Sequence, residues 1–306
     1  MFRPIVGHME QNVTPWREWT EFDASRGIAV PGPDDDKYSR GVLGVVTGSR
    51  DFPGAAVLGV EAASRAGVGM IRYLGPGRAS DMVLRARPEV VTASGRVQAW
   101  LVGSGMNPDA RTDRTLERLA LVTGGDRPVV LDAGALDLVG AIAGPVVLTP
   151  HAGELVTLLG RLGIEVDRAT VSADPAHWAE QAADRTRAVV LLKGHVTHVC
   201  APAEGANGGE RRAITVEAPS SWAATAGSGD VLGGILGALV ATHSDEVLQD
   251  ATRLVDLAAT AAYVHAWAAA EASARGPITA LDIAQAVGGV VRRLVGGMER
   301  GPRVED

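Results

Sequence analysis

From position 41 onward, short apolar runs alternate with longer stretches in which apolar residues recur every three or four positions. The runs 42–46, 68–74, 97–102, 129–132, 146–148, 188–192, 196–200 and 214–216 are rich in Val, Leu and Ile and too short to be helices, so they read as strands. They are apolar without alternation, as expected of strands covered on both faces. The stretches 55–66, 109–122, 175–186, 231–241, 247–274 and 280–295 read as helices, and another begins at 154–159. In the second of these, Leu116, Leu119 and Ala120 share one face. Strands alternating with helices predict an α/β domain with a mostly parallel central sheet and helices on both faces. The first forty residues read as irregular, because Pro31 and Pro33 remove donors and Asp34, Asp35 and Asp36 repel one another. Regular structure is therefore expected to start at Gly41. The stretch 205–212 reads as a surface hairpin or loop, and no linker or break in composition divides 41–306, which is taken as one domain behind the segment 1–40.

Composition narrows the function. The 306 residues are 46% hydrophobic, enough for a large core, and the 38 glycines cluster at the ends of apolar runs, where tight strand-to-helix turns need them. A net charge of −7 weighs against nucleic-acid or membrane-surface binding, so an anionic ligand must be held by local donors. The lone Cys200 excludes an internal disulfide, agrees with a reducing cytoplasm, and in its apolar run reads as a small buried residue. No signal-like apolar stretch occurs in 1–23, and 231–241 falls far short of the roughly 20 residues that span a bilayer. A soluble, cytoplasmic protein is expected. The Ala-rich stretch 258–270 reads as either an interface or plain core.

The chemistry concentrates at strand ends. Ala226, Gly227, Ser228 and Gly229 form a small-residue loop leading into the apolar helix that Asp230 opens. Free N–H groups of a first helical turn and the helix dipole make such a loop an anion hole suited to a phosphoryl group. Asp230 is either a helix cap or a carboxylate that orients or deprotonates a hydroxyl beside a transferring phosphoryl. Lys193 and Gly194 follow a strand, where parallel sheets bind ligands. Thr149-Pro150-His151-Ala152-Gly153-Glu154 is another strand-end turn opening a helix; His151 is either a satisfied turn residue or a ligand contact. Two further Gly-bounded loops run from Gly48 to Ala56 and from Gly103 to Met106, but neither matches the dinucleotide fingerprint, and the chain holds no P-loop, zinc spacing or nucleophile elbow.

In chain order, Gly48-Ser49, Gly54-Ala55-Ala56, Gly103-Ser104-Gly105, Leu131-Asp132-Ala133, Thr149-Pro150-His151 with Glu154, Lys193-Gly194 and Gly227-Ser228-Gly229-Asp230 resemble the ADP/ATP-dependent NAD(P)H-hydrate dehydratase family of the ribokinase-like superfamily. The resemblance covers about 37–295. It implies a three-layer sandwich with a mostly parallel sheet. It also implies a nucleotide site at Lys193, Gly194, His195, Val196, Thr197 and Gly229, and a site for the hydrated nicotinamide nucleotide at Ala55, Gly105, His151 and Asp230. The family's GGTGD loop is Ala226-Gly227-Ser228-Gly229-Asp230 here, which keeps the hydroxyl and the small size. Its DAD segment is Asp132-Ala133-Gly134, lacking the second carboxylate. The run after Gly105 departs in spacing. Bifunctional members add an N-terminal epimerase domain, for which the residues before Gly41 are too few, so a dehydratase alone is expected. The implied reaction uses ADP as co-substrate, magnesium carried by the nucleotide rather than by a protein metal site, and Asp230 as base in a homotetramer. An unperturbed Asp titrates near 3.9, so its value is expected to lie in position. The rivals are a superfamily kinase acting on a vitamin precursor or sugar, and a nucleotide-binding protein without catalysis.

Overall fold

The computed structural model describes residues 14–203 and 211–299. The chain opens with strand β1 (Arg17–Glu18) and helix α1 (Glu21–Ser25). There follow β2 (Val42–Val46), α2 (Pro53–Ala66), β3 (Met70–Tyr73), α3 (Gly77–Ala86), β4 (Ala99–Val102), α4 (Asp113–Thr123), β5 (Val129–Leu131) and β6 (Val146–Leu148). Helices α5 (Ala152–Arg161), α6 (Arg168–Ala173) and α7 (Pro175–Thr186) lead to β7 (Val189–Leu192), β8 (Val196–Cys200) and β9 (Ala213–Glu217). Four helices close the described chain: α8 (Ser228–Thr242), α9 (Ser244–Gln249), α10 (Arg253–Ser273) and α11 (Ala280–Glu299).

The strands form one sheet in the order β1-β9-β8-β7-β6-β5-β4-β2-β3. Strand β8 is antiparallel to both neighbours, and the other pairings are parallel. Side chains alternate across it. Leu43, Val45, Leu101, Val130, Val147 and Leu191 pack with the layer of α2, α8, α10 and α11. Val42, Val46, Val102, Leu131, Leu148 and Val190 pack with α4, α5 and α7. The fold is thus α/β, with a mostly parallel sheet between two helical layers. Helix α8 is apolar on all sides and is buried nearly throughout, as such a helix must be. It lies back to back with α2: a Cβ on Gly234 would stand 2.1 Å from the Gly59 carbonyl oxygen. That contact sets the N-termini of α2 and α8 side by side at the C-terminal edge of the sheet. The Ala-rich stretch of α10 is core of this chain, with Ala258, Ala259 and Ala261 fully buried.

Regular structure begins before Gly41, contrary to the sequence expectation. Arg17 and Glu18 pair with Ile214 and Thr215 of β9. Thr20 and Asp23 form a reciprocal capping box on α1, and Trp19, Ala24 and Ile28 enter the core. The expected helix 109–122 starts only at Asp113, where Thr112 caps it. The expected helix 247–274 is two helices, because the Asp250 side chain accepts from the Thr252 N–H at 2.9 Å and turns the chain between them. Most of the expected loop 205–212 lies outside the described residues, as do residues 1–13.

Candidate active site

Asp132, Thr149 and Lys193 stand side by side just past the ends of β5, β6 and β7. The parallel pairing runs one step beyond the strands, through a bridge between His151 and Lys193 in which the Lys193 N–H donates to the Pro150 carbonyl at 2.8 Å. Asp132 is only 2% exposed. Its Oδ1 accepts from Thr149 Oγ1 at 2.7 Å and from Lys193 Nζ at 3.0 Å, and its Oδ2 accepts from Ser104 Oγ at 2.9 Å. Lys193 Nζ also lies 3.4 Å from Glu154 Oε2. Burial pulls the lysine pKa down, but the charges of Asp132 and Glu154 outweigh it and hold the ammonium above its ordinary value.

His151 is the N-cap of α5. Its Nδ1 accepts from the Glu154 N–H at 3.1 Å, and its own N–H donates to Glu154 Oε2 at 2.8 Å. This reciprocal box leaves Nε2 as the proton-bearing nitrogen of the neutral ring. The imidazole itself is exposed.

The loop before α8 turns at Gly227, whose φ of 89° favours glycine. A Cβ there would also stand 2.5 Å from Leu58 Cδ1. The Ser228 N–H turns back to the Thr225 carbonyl at 3.2 Å, and the first helical bond runs from the Val231 N–H to Gly227. The amides that face outward from the first turn are therefore those of Gly229 and Asp230, one residue further on than the sequence suggested. A Cβ on Gly229 would lie 3.4 Å from Lys193 Nζ, so the ammonium sits directly over this helix end. Asp230 is not a cap: the N-cap is Gly227, without a side-chain bond. The Asp230 carboxyl is pushed up to about 7, chiefly by burial and then by the negative charge of Asp132; Lys193 opposes the shift and Glu154 adds to it. The unperturbed value assumed from sequence therefore does not hold, and this side chain combines position with basicity near neutrality.

A cavity of about 620 Å³ opens beside Ser228 and Gly229, between the ends of β7 and β8 and the helices α8 and α10. Lys193, Gly194, His195, Thr197, Gly229 and His151 line it, whereas Val196 does not. The Val196 carbonyl instead lies under Gly194, 2.8 Å from where a Cβ would be. Sequence reasoning missed two groups on this wall, Arg168 and His265. His265 Nε2 lies 2.8 Å from Ser228 Oγ, and burial, with the Lys193 charge, pulls the ring down to about 4, so it is neutral at physiological pH. A histidine interrupting the Ala-rich run 258–270 was the available signal.

Away from this cavity, Ala55 and Gly105 meet. Gly105 has φ 67°, and a Cβ on it would lie 2.6 Å from the Ala55 Cβ and 2.9 Å from the Phe52 carbonyl. Gly134, which replaces the family's second carboxylate, has no room for a side chain: a Cβ would stand 2.3 Å from the Met106 carbonyl oxygen. Among the described residues, no group of three or more His, Cys, Asp or Glu side chains could hold a metal ion, and no helix is long and apolar enough to cross a membrane.

A profile for NAD(P)H-hydrate dehydratase matches residues 43–287. The chain belongs to the NAD(P)H-hydrate dehydratase family. It is 45% identical over 232 residues to the bifunctional NAD(P)H-hydrate repair enzyme Nnr of Mycobacterium tuberculosis, a match covering 72% of this chain and 45% of that protein. The chain thus spans about half the length of this bifunctional relative. It is 33% identical over 247 residues to the ADP-dependent (S)-NAD(P)H-hydrate dehydratase of Xanthomonas campestris, covering 72% of this chain and 80% of that one. The fold matches an ADP/ATP-dependent NAD(P)H-hydrate dehydratase from Bacillus subtilis, crystallised with ATP and Mg²⁺, with a TM-score of 0.75 at 23% identity over 91% of this chain and 99% of that one. The family match runs through all the strand-end loops described above, from Gly48 to Asp230.

Proposed function

We propose that this protein carries out the ADP-dependent dehydration of the S-epimer of NAD(P)H hydrate, returning NAD(P)H with AMP and phosphate. The observation that carries the reading is the placement of Asp230. A partly buried carboxyl with a pKa of about 7 stands in the first turn of α8, beside outward-facing amides and the Lys193 ammonium. The 620 Å³ cavity next to Ser228 and Gly229 supplies a place for the nucleotide. Lys193, Gly194, His195, Thr197 and Gly229 are assigned to the nucleotide, with Val196 contributing backbone only; Ala55, Gly105 and His151, the last also lining the cavity, are assigned to the substrate.

Hydroxide is a poor leaving group and phosphate a good one. In the proposed reaction the ring hydroxyl of the hydrate attacks the β-phosphoryl of ADP, AMP leaves, and Asp230 takes the hydroxyl proton. A base with a pKa near the working pH is suited to that transfer. The amides of Gly229 and Asp230 and the α8 dipole stabilise charge on the phosphoryl. The ring nitrogen then expels phosphate, and loss of a proton from the adjacent carbon restores the dihydropyridine. Magnesium enters this reading as the nucleotide's counter-ion, and no step is assigned to it. We further propose a cytoplasmic homotetramer.

The test follows absorbance at 340 nm in NADH hydrate, ADP and magnesium. A rise that requires both protein and nucleotide supports the dehydratase, and substituting ATP tests the donor. Asp230→Asn is expected to remove most of the turnover and little of the nucleotide affinity. Nucleotide binding without a rise in absorbance, together with a stable phosphorylated product from a hydroxylated vitamin precursor, would replace this reading with a kinase.

A further inference from the structure

We propose that Asp132 is the positioning residue of this site: its buried carboxylate fixes the Lys193 ammonium against the N-terminus of α8 and keeps that cation from closing on Asp230. The inference rests on the reading of Asp230 as the base.

The geometry is that of a strut. Asp132 is 2% exposed, and both its oxygens are engaged, by Ser104 Oγ at 2.9 Å, Thr149 Oγ1 at 2.7 Å and Lys193 Nζ at 3.0 Å. These donors come from the ends of β4, β6 and β7, so strands on both sides of β5 aim one carboxylate. The two hydroxyls orient it but are neutral; a buried charge needs a countercharge as well, and Lys193 supplies it. The backbone beneath is equally constrained: a Cβ on Gly103 would stand 2.0 Å from the Asp132 carbonyl oxygen. On its far side Lys193 meets Glu154 at 3.4 Å, itself pinned by the His151 N–H. The lysine is therefore suspended between two carboxylates, neither of which is Asp230, with its ammonium over Gly229.

The charged groups acting on Asp230 are Asp132, Lys193 and Glu154. On the α10 side stands His265, neutral and joined to Ser228. Removing the Asp132 charge takes away a like charge and frees Lys193 to approach Asp230, and both changes favour the ionised carboxylate. Removing Lys193 does the opposite. The two substitutions thus carry opposite signs, which a merely structural role would not produce.

The proton affinity of Asp230 can be read without turnover, as the folded-state midpoint above which the stability gained by Asp230→Asn over its parent stops growing. That midpoint is measured by thermal unfolding across pH in three backgrounds: the wild-type chain, Asp132→Asn and Lys193→Met. It is expected to fall by about one pH unit in Asp132→Asn and to rise in Lys193→Met. In parallel, the acid limb of kcat in the 340 nm assay should move down with Asp132→Asn while the kcat plateau drops about tenfold, as expected for a weaker base beside a misplaced lysine. An unchanged midpoint, or shifts of the same sign in both backgrounds, would overturn the proposal. Should Asp132→Asn not fold, the sign in Lys193→Met decides, a fall or no shift being the overturning result. Absence of turnover in the wild-type protein, with the midpoints moving as expected, would sink the proposed reaction and leave the strut standing.

Discussion

Replacing Asp230 by Asn should stabilise the protein by an amount that grows as pH rises from about 4 to about 7 and then levels off. The carboxyl is raised from 3.8 to about 7 in the fold. The unfolded chain loses this proton near pH 4, whereas the folded chain keeps it until about pH 7. Stability from this group is therefore fully present below the unfolded value and is lost as pH rises through the folded one. Each pH unit of mismatch is worth about 1.4 kcal/mol. From pH 5 to pH 8 roughly two units are traversed, or just under 3 kcal/mol. The residue is only partly buried, and a discount for solvent screening leaves about 2 kcal/mol. The amide carries no charge to desolvate, so the Tm gap between the variant and the parent should widen by about 5 °C over this range. Differential scanning fluorimetry of the two proteins in matched buffers at pH 5 and pH 8 measures it. An equal gap at both pH values, or a variant less stable than its parent at pH 8, would refute an elevated proton affinity at Asp230 and with it the case for this residue as a base poised near neutrality.

Three further outcomes follow from the same geometry. In wild-type protein kcat should rise close to tenfold per pH unit below about pH 7 and level off above it, as a stopped 340 nm assay across pH would show; a flat profile would remove Asp230 from the rate-limiting proton transfer. Gly229→Ala places a methyl group 3.4 Å from Lys193 Nζ and over an outward amide, so the KM for ADP should climb about tenfold or more while stability holds or gains up to about 1 kcal/mol from helix propensity; an unaltered KM would move the phosphoryl elsewhere. Gly234→Ala puts a methyl group 2.1 Å from the Gly59 carbonyl oxygen and should cost about 1–3 kcal/mol in chemical denaturation despite that same propensity gain, because α2 and α8 must separate; a neutral result would mean that the two helices are not held at these glycines.

The parts of the fold that could be read from the chain are those in which one segment states its own role. Strands such as Val42–Val46 and Val196–Cys200 are apolar runs whose length rules out a helix, and Pro175–Thr186 carries its own proline start. Strand β1 escaped because two residues pairing with β9 leave no periodic trace, although the Thr20 and Asp23 box beside it was visible. Helix α6, at six residues, is too short for its period to stand out. The small-residue loop at α8 was legible because only Gly and Ala allow close backbone approach. What Asp230 does electrically was not, since its environment is burial plus charges from Asp132, Glu154 and Lys193, which are remote in sequence and adjacent only once the strands are ordered. Arg168 and His265 reach the cavity through tertiary packing in the same way.

That charge arrangement also bears on how a chain of net charge −7 can handle anionic nucleotides. Lys193 faces two carboxylates, Asp132 and Glu154, so with Asp230 protonated this cluster still carries one net negative charge, and with Asp230 ionised it carries two. Attraction for a phosphoryl group therefore comes from fixed dipoles, the outward amides of Gly229 and Asp230 at the end of α8, rather than from the sum of side-chain charges. On the proposed reaction, an arriving phosphoryl raises the proton affinity of Asp230 further, so that nucleotide binding and ionisation of the base oppose each other. Lys193 is the group that can relieve this opposition, because its ammonium lies over Gly229 and needs only to share its charge between Asp132 and the phosphoryl. A lysine free to pair with Asp230 would lower the basicity of that carboxylate, and one withdrawn into Glu154 would leave the phosphoryl to the amides alone. The position between the two carboxylates satisfies both demands, which is why the protonation of Asp230 and the placement of Lys193 are expected to change together in every substitution that touches either.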